Sequence, residues 1–153
     1  YRWLLEHGVA PNRIAIAGDS AGGGLTLAAL LAIRDAGLAA PACAVPISPW
    51  TDMECTGASI ESRAAVDAIV QKEILLQMGG AYLNGADPKS PLAAPFHGDL
   101  PGLSPLLIQM GYAEVLSDDS TCPEQPLKSA AVDVTPGESA HQNSHYVLIP
   151  PKS

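Results

Sequence analysis

Apolar residues along this chain gather into short blocks separated by glycine, proline and polar punctuation. Residues 13–17 (RIAIA) form a near-continuous apolar run, which predicts a parallel strand buried on both faces. Residues 21–36 are rich in Ala and Leu and predict a helix, closed by Arg34, Asp35 and the glycine stop at Gly37. Residues 42–47 (ACAVPI) predict a second parallel strand, in which Pro46 removes one ladder hydrogen bond. The loop Ser48-Pro49-Trp50-Thr51-Asp52 ends it. From 53 to about 90 the pattern turns helical and irregular. Its best helix is 71–82, with Ile74, Leu75, Met78 and Tyr82 on one face, broken by Asn84-Gly85-Ala86-Asp87-Pro88. A proline-punctuated loop leads to a third strand at 106–110, a strand-to-helix junction at 111–120 and a short final strand at 132–134. No repeat or low-complexity tract interrupts this order.

Strands alternating with helices imply βαβ units, so the predicted class is α/β: a mostly parallel sheet with flanking helices. In such sheets chemistry gathers beyond the carboxyl ends of the strands. Ser20, Trp50 and residues 111–114 then lie along one edge. Residues 1–8 (YRWLLEHG) read as the last turns of a helix closed by a glycine, so the expected start of the protein lies upstream.

Composition narrows the field. The 153 residues are 47% hydrophobic and 16% charged, enough for one domain with a proper core, and only 5% are aromatic. A formal charge of −8 and a pI of about 4.7 repel phosphates, which argues against nucleic acid and anionic lipid as partners. Cys43, Cys55 and Cys122 show no CxxC pattern and read as free thiols in a reducing cytosol, with no metal site among them. No signal peptide is visible, and the longest apolar run, 25–33, is well short of the ~20 residues of a membrane span. The expected setting is cytoplasmic, for a chain free to form a homo-oligomer.

The chemistry centres on Gly18-Asp19-Ser20-Ala21-Gly22, a G-x-S-x-G pattern. Alone the pattern is weak; here an apolar strand precedes it and a helix follows. That is the setting of a nucleophile elbow, a strained turn on which a serine hydroxyl stands clear of its neighbours. Side chains two residues before and after the serine would collide there, so Gly18 and Gly22 are expected to remove those collisions. Amides at the helix start favour negative charge nearby.

The longer string GDSAGGGL, followed by SPWTD and by Asp87-Pro88-Lys89-Ser90-Pro91-Leu92-Ala93-Ala94-Pro95, resembles the hormone-sensitive-lipase-like esterases of the α/β-hydrolase fold. The likeness runs from about residue 1 to 119. It implies a partial α/β-hydrolase domain over 1–153, with a tail from about 122 that departs from the family pattern. It further implies a hydrolase of small, short-chain acyl esters that needs no cofactor, with the segment 53–83 helping to cover the acyl site. Laid over Glu114-Val115-Leu116-Ser117-Asp118, the family's acidic motif puts Glu114 at the acid position. A carboxylate there fixes the tautomer of a catalytic imidazole. Asp118 and Asp119 are expected to stabilise a helix start, and Asp19 to be a structural hydrogen-bonder.

For the base, His145 comes closest to the family's spacing and precedes an aromatic, while His141 lies nearer the last strand. His7 and His97 are expected on the surface. The oxyanion hole would take the Ala21 amide plus donors from an HGGG-type loop, which does not occur in these residues. Losing one such donor costs ~3–4 kcal/mol of transition-state stabilisation. Two functions compete: a serine esterase working through Ser20, Glu114, His145 and Ala21, and a small-molecule-binding relative whose triad is broken.

Overall fold

The computed structural model describes residues 1–67, 69–111, 113–121, 133–139 and 142–149, with side chains described as far as residue 120. Its centre is a sheet in the order β1-β2-β3-β5-β4. Strands β1 (Ala15–Asp19), β2 (Cys43–Ile47) and β3 (Leu106–Gly111) run parallel, with Ala15 beside Cys43, Asp19 beside Ile47 and Ala44 beside Leu106. This is the α/β class that the alternation of blocks predicts. The Pro46 ring lies within the β1–β2 register, opposite Gly18.

Helix α2 (Ala21–Asp35) crosses from β1 to β2 and covers one face of the sheet. Leu27 and Leu30 of α2 meet Ala44, Leu106 and Ile108 in the main core, each 3% exposed or less. A buried leucine contributes roughly 1.5–3 kcal/mol, so these few contacts fix how α2 lies on the sheet. The helix stops at Gly37, whose φ of +63° permits the amide to reach the Arg34 carbonyl. Gly8, with φ of +81°, closes the short α1 (Arg2–Glu6) in the same manner.

Four expectations need correcting. Strand β1 starts at Ala15, because Pro11–Arg13 curl into a 3-10 turn. Among the described residues it is not buried on both faces: α2 covers one face of β1, and Ala15, Ala17 and Asp19 on the other are exposed. On α4 (Lys72–Leu83) the apolar stripe splits. Leu75 and Gly79 are buried, and a methyl added at Gly79 would just touch the Trp50 ring, while Ile74, Met78 and Tyr82 are exposed. The tail forms an antiparallel hairpin, β4 (Asp133–Ser139) and β5 (Gln142–Ile149), with β5 paired to β3, in place of one short strand and a loop. Val and Thr in VDVT and the aromatic-aliphatic run YVLI supply strand-forming residues on both arms.

A second core gathers Trp50, Cys55, Ile60, Leu75, Val115 and Leu116 beyond the carboxyl ends of β2 and β3. It joins α3 (Ala58–Ser62), α4 and α5 (Ser117–Thr121), the elements nearest the candidate chemistry. Among the described residues no helix is long and apolar enough to cross a membrane.

Candidate active site

Ser20 sits between the last residue of β1 and the first of α2, with φ 55° and ψ −116°. A non-glycine residue there pays on the order of 1–3 kcal/mol of backbone strain and persists only when its surroundings enforce it. Here the Ser20 amide donates to the Ile47 carbonyl at 2.9 Å, and the Ser20 carbonyl accepts from the Gly23, Gly24 and Trp50 amides at 2.9, 3.1 and 3.0 Å. The side chain makes no hydrogen bond to a described residue and does not cap the helix, so its hydroxyl is free to act elsewhere. The first amides of α2, those of Ala21 and Gly22, have no intrahelical acceptor and stand beside that hydroxyl as donors.

The glycines divide into two jobs. A methyl at Gly18 would lie 2.1 Å from the Gly22 carbonyl oxygen, so the elbow demands glycine there. At Gly22 a methyl would meet nothing within 4 Å, which corrects the expectation of a collision: this glycine opens space instead. Gly23 and Gly24 hold the helix against the loop after β2, since added methyls would reach Pro49 at 2.8 Å and the Trp50 carbonyl oxygen at 2.0 Å.

The space beside Gly22 is an apolar pocket of about 260 Å³. Ala21, Gly22, Leu25 and Ala28 of α2 form one wall, and Trp50, Met53, Met78 and Tyr82 face them. Met78 and Tyr82, two of the three stripe residues of α4 that stay out of the core, thus line this pocket, and Ile74 does not. Trp50 is held by its indole N–H donating to the Asp52 carbonyl at 2.8 Å.

Glu114 follows β3, two strands across from Ser20. Its Oε2 is buried and has no hydrogen-bond partner among the described residues. A carboxylate oxygen in that state is costly unless another donor meets it. Gly111 makes room for it, as a methyl there would lie 2.4 Å from Oε1. The next residue is pinned from two sides: the Val115 amide donates to Asp67 at 3.1 Å and the Val115 carbonyl accepts from Ser59 Oγ at 2.6 Å. Burial pushes the Asp67 carboxyl up, but the Val70, Ile69 and Val115 amides outweigh it and leave its pKa below the usual value.

Asp118 and Asp119 do more than flank a helix start. The Asp119 carboxylate accepts from the Thr51 and Asp52 amides at 2.7 and 3.0 Å, tying the loop after β2 to α5. Burial raises its pKa to about 6 against those same hydrogen bonds. Asp118 accepts from the Ser59 amide at 2.8 Å. Asp67, Ser59 and Asp119 were invisible as site-builders in the sequence, because their partners lie 48 to 68 residues away. Asp19, expected to be a structural hydrogen-bonder, is exposed and takes no side-chain hydrogen bond among the described residues. Cys43 and Cys55 are free thiols.

His145 lies in β5, its Cα in register with Met110 of β3, one residue short of that strand's carboxyl end. Strands β2 and β3 stand between β5 and the strand that carries Ser20. His141 and Cys122 fall outside the described residues. His7 is exposed and stacked on Trp3, and His97 is exposed on the turn at Pro95–His97. The structure thus brings Ser20, Ala21 and Glu114 to one edge of the sheet, and gives His145 a backbone position near that edge.

Parallel strands, a serine at the strand-to-helix turn and a carboxylate after a later strand define a protein of the α/β-hydrolase class. Residues 1–147 match a family model described as the alpha/beta hydrolase fold. The chain belongs to that family, in its hormone-sensitive-lipase-like branch. It is 53% identical over 135 residues to an acetyl-hydrolase of Streptomyces hygroscopicus, a match covering 88% of this chain and 45% of that protein. It is 34% identical over 135 residues to an esterase of Acinetobacter venetianus, covering 88% and 45%. Among solved structures, an esterase from the bacterial hormone-sensitive lipase family superposes with a TM-score of 0.78 at 52% identity, over 79% of this chain and 41% of that one. EstE5, from a crystal soaked with p-nitrophenyl butyrate, gives 0.76 at 53%, over 79% and 40%. The chain spans less than half the length of these relatives.

Proposed function

We propose that this chain carries the nucleophile and acid of a carboxylic ester hydrolase that works through an acyl-serine intermediate. Ser20 Oγ attacks the ester carbonyl while a histidine takes its proton. The Ala21 amide donates to the developing oxyanion, and Glu114 accepts the imidazole N–H that its buried Oε2 otherwise lacks. The histidine passes its proton to the departing alcohol, the acyl group stays on Ser20, and a water activated by the same histidine releases the acid. His145 is the base we favour, with His141 the alternative. The observation that carries this reading is Ser20 itself, held in a costly conformation with a free hydroxyl beside unpaired amides.

The pocket supports short-chain acyl groups. A 150 Å³ apolar cavity accommodates the six carbons of benzene, so about 260 Å³ leaves room for an acetyl to butyryl chain. An acetyl-hydrolase among the relatives and the butyrate-soaked EstE5 crystal agree with that size.

Labelling by a fluorophosphonate tests the proposal, with the chain joined to an upstream half that bears an HGGG loop. The label should attach, and Ser20→Ala should abolish it. Absence of any Ser20-dependent label ends the esterase reading. The second reading, a small-molecule binder without turnover, draws on the position of His145 within a paired strand, separated from β1 by β2 and β3. Saturable binding of an ester with no acid released would favour it.

A further inference from the structure

Asp52 and Glu54, the sequence neighbours of the pocket-lining Met53, form with His97 a cluster that the esterase reading does not use. Asp52 and Glu54 project from the turn after β2, and His97 ends the 3-10 turn Pro95–His97. One ligand atom from each lies within 4.8 Å of the other two. We propose that Asp52, Glu54 and His97 bind a single divalent transition-metal ion of the Zn²⁺ class, which clips these two turns together beside the pocket.

Three features support it. The Asp52 carboxylate is already fixed: Oδ1 accepts from the Glu54 amide at 2.9 Å, and Oδ2 accepts from the Thr56 amide and Oγ1 at 2.7 and 2.6 Å. Oδ1 keeps a free lone pair, and a ligand oriented by backbone amides is one that binds without first paying to be ordered. The two turns are also held together independently, by the Phe96 amide donating to the Thr51 carbonyl at 3.2 Å, so the ion joins a preformed site. Finally, none of the ion pairs among the described residues joins His97 to either carboxylate, although one ligand atom of each lies within 4.8 Å of the others. Atoms up to 4.8 Å apart stand at most about 2.8 Å from a common centre, so bonds of about 2.0–2.2 Å require the ligand atoms to draw in by up to about 0.8 Å, a movement open to the exposed His97 and the half-buried Glu54.

The donor set names the metal. Imidazole nitrogen with carboxylate oxygen suits Zn²⁺ and its first-row neighbours, whereas Ca²⁺ and Mg²⁺ prefer oxygen alone. Water completes the coordination. The Lys89 ammonium, 3.5 Å from Glu54 Oε2, competes for that carboxylate, but it is 60% exposed and such pairs are weak. Because His97 lies 43 residues beyond Glu54 and 45 beyond Asp52, no CxxC or HxxxH spacing announced the cluster. The site stands or falls independently of ester hydrolysis.

The test is a titration of the chelator-treated chain with ZnCl₂ by calorimetry, beside the absorption spectrum of the Co²⁺ form. One His97-dependent ion per chain is expected, with a Co²⁺ spectrum lacking a thiolate charge-transfer band. His97→Ala should weaken binding at least ~100-fold, and Glu54→Gln at least ~10-fold, while both variants keep the metal-free urea midpoint. Zn²⁺ should raise the melting temperature of the wild type and leave that of His97→Ala unchanged. Binding that survives both substitutions, a thiolate band, or no saturable site overturns the proposal.

Discussion

Gly22 and Gly24 share a helix and differ in what surrounds them, so the same substitution should act on them with opposite sign. An alanine at Gly22 meets nothing within 4 Å. Replacing glycine by alanine in a helix gains up to ~1 kcal/mol through backbone entropy, and the first turn of α2 should realise part of it. At Gly24 the new methyl would lie 2.0 Å from the Trp50 carbonyl oxygen, a backbone atom that cannot rotate aside. The Trp50 amide bonds Ser20 and the Thr51 amide bonds Asp119, so the loop has little freedom to retreat. Overpacking of this kind costs ~1–3 kcal/mol, and more when backbone must shift. The two variants should therefore differ by about 3 kcal/mol, or roughly 6–12 °C in melting temperature for a chain of this size. Urea and thermal unfolding of both proteins decide it. Equal stability for Gly22→Ala and Gly24→Ala would refute the claim that glycine at the start of α2 serves contact with the loop after β2. Such a result would leave only the demands of the elbow.

The other expectations concern the site. Glu114→Gln should lower turnover of p-nitrophenyl butyrate by on the order of 10³–10⁴, because an amide orients an imidazole in the wrong tautomer, with the unfolding midpoint unmoved. Ala28→Leu narrows the pocket from the α2 side and should cut activity on hexanoate far more than on acetate, read as a kcat/KM ratio. Asp119 is the group to follow with pH. Burial raises its folded pKa to about 6 from 3.8, so its contribution to stability is fully present below pH ~4 and lost as pH rises through 6. Asp119→Asn, which keeps an oxygen for the two loop amides, should be more stable than the wild type at pH 7, by on the order of 3 kcal/mol from 1.36 kcal/mol per pKa unit. That advantage should vanish at pH 4, as denaturant melts at the two pH values would report. The Cys55 thiol, pushed up to about 11 first by burial and then by Asp119 and Asp52, should resist iodoacetamide at pH 8 until the protein unfolds.

What the sequence disclosed was local, and what it hid depended on distance along the chain. Periodicity located α2 and the three parallel strands to within two residues, because each draws its signal from its own neighbours. The elbow was legible for the same reason, since strand, serine and helix are contiguous. Burial was harder to read. Ile14 to Ala17 look alike in apolar content, yet which of them is covered depends on the face on which α2 lies, and Ala15 and Ala17 point to the other. On α4 the 3.6-residue pattern marked a single face, whereas the fold splits it between a core contact at Leu75 and Gly79 and a pocket wall at Met78 and Tyr82. The supports of the loop after β2 and of the turn at Glu114 were hidden altogether. Asp119 reaches loop amides at Thr51 and Asp52, and Asp67 reaches Val115, across spans no local pattern encodes.

Those hidden contacts explain why the legible part works. A serine at φ 55° relaxes unless its flanks are fixed. One flank is α2, seated by Leu27 and Leu30 on β2 and β3. The other is the end of β2 with the loop after it: the Ile47 carbonyl accepts from the Ser20 amide, and the Trp50 amide of the loop donates to the Ser20 carbonyl. That loop is itself tied down by Asp119, and the turn carrying Glu114 is tied down by Asp67 and Ser59. Ser20 and Glu114 are thus braced alike, through the buried Asp119 and the half-buried Asp67 accepting from backbone amides. Strain at Ser20 is sustained because relaxing it would break hydrogen bonds at both of its flanks.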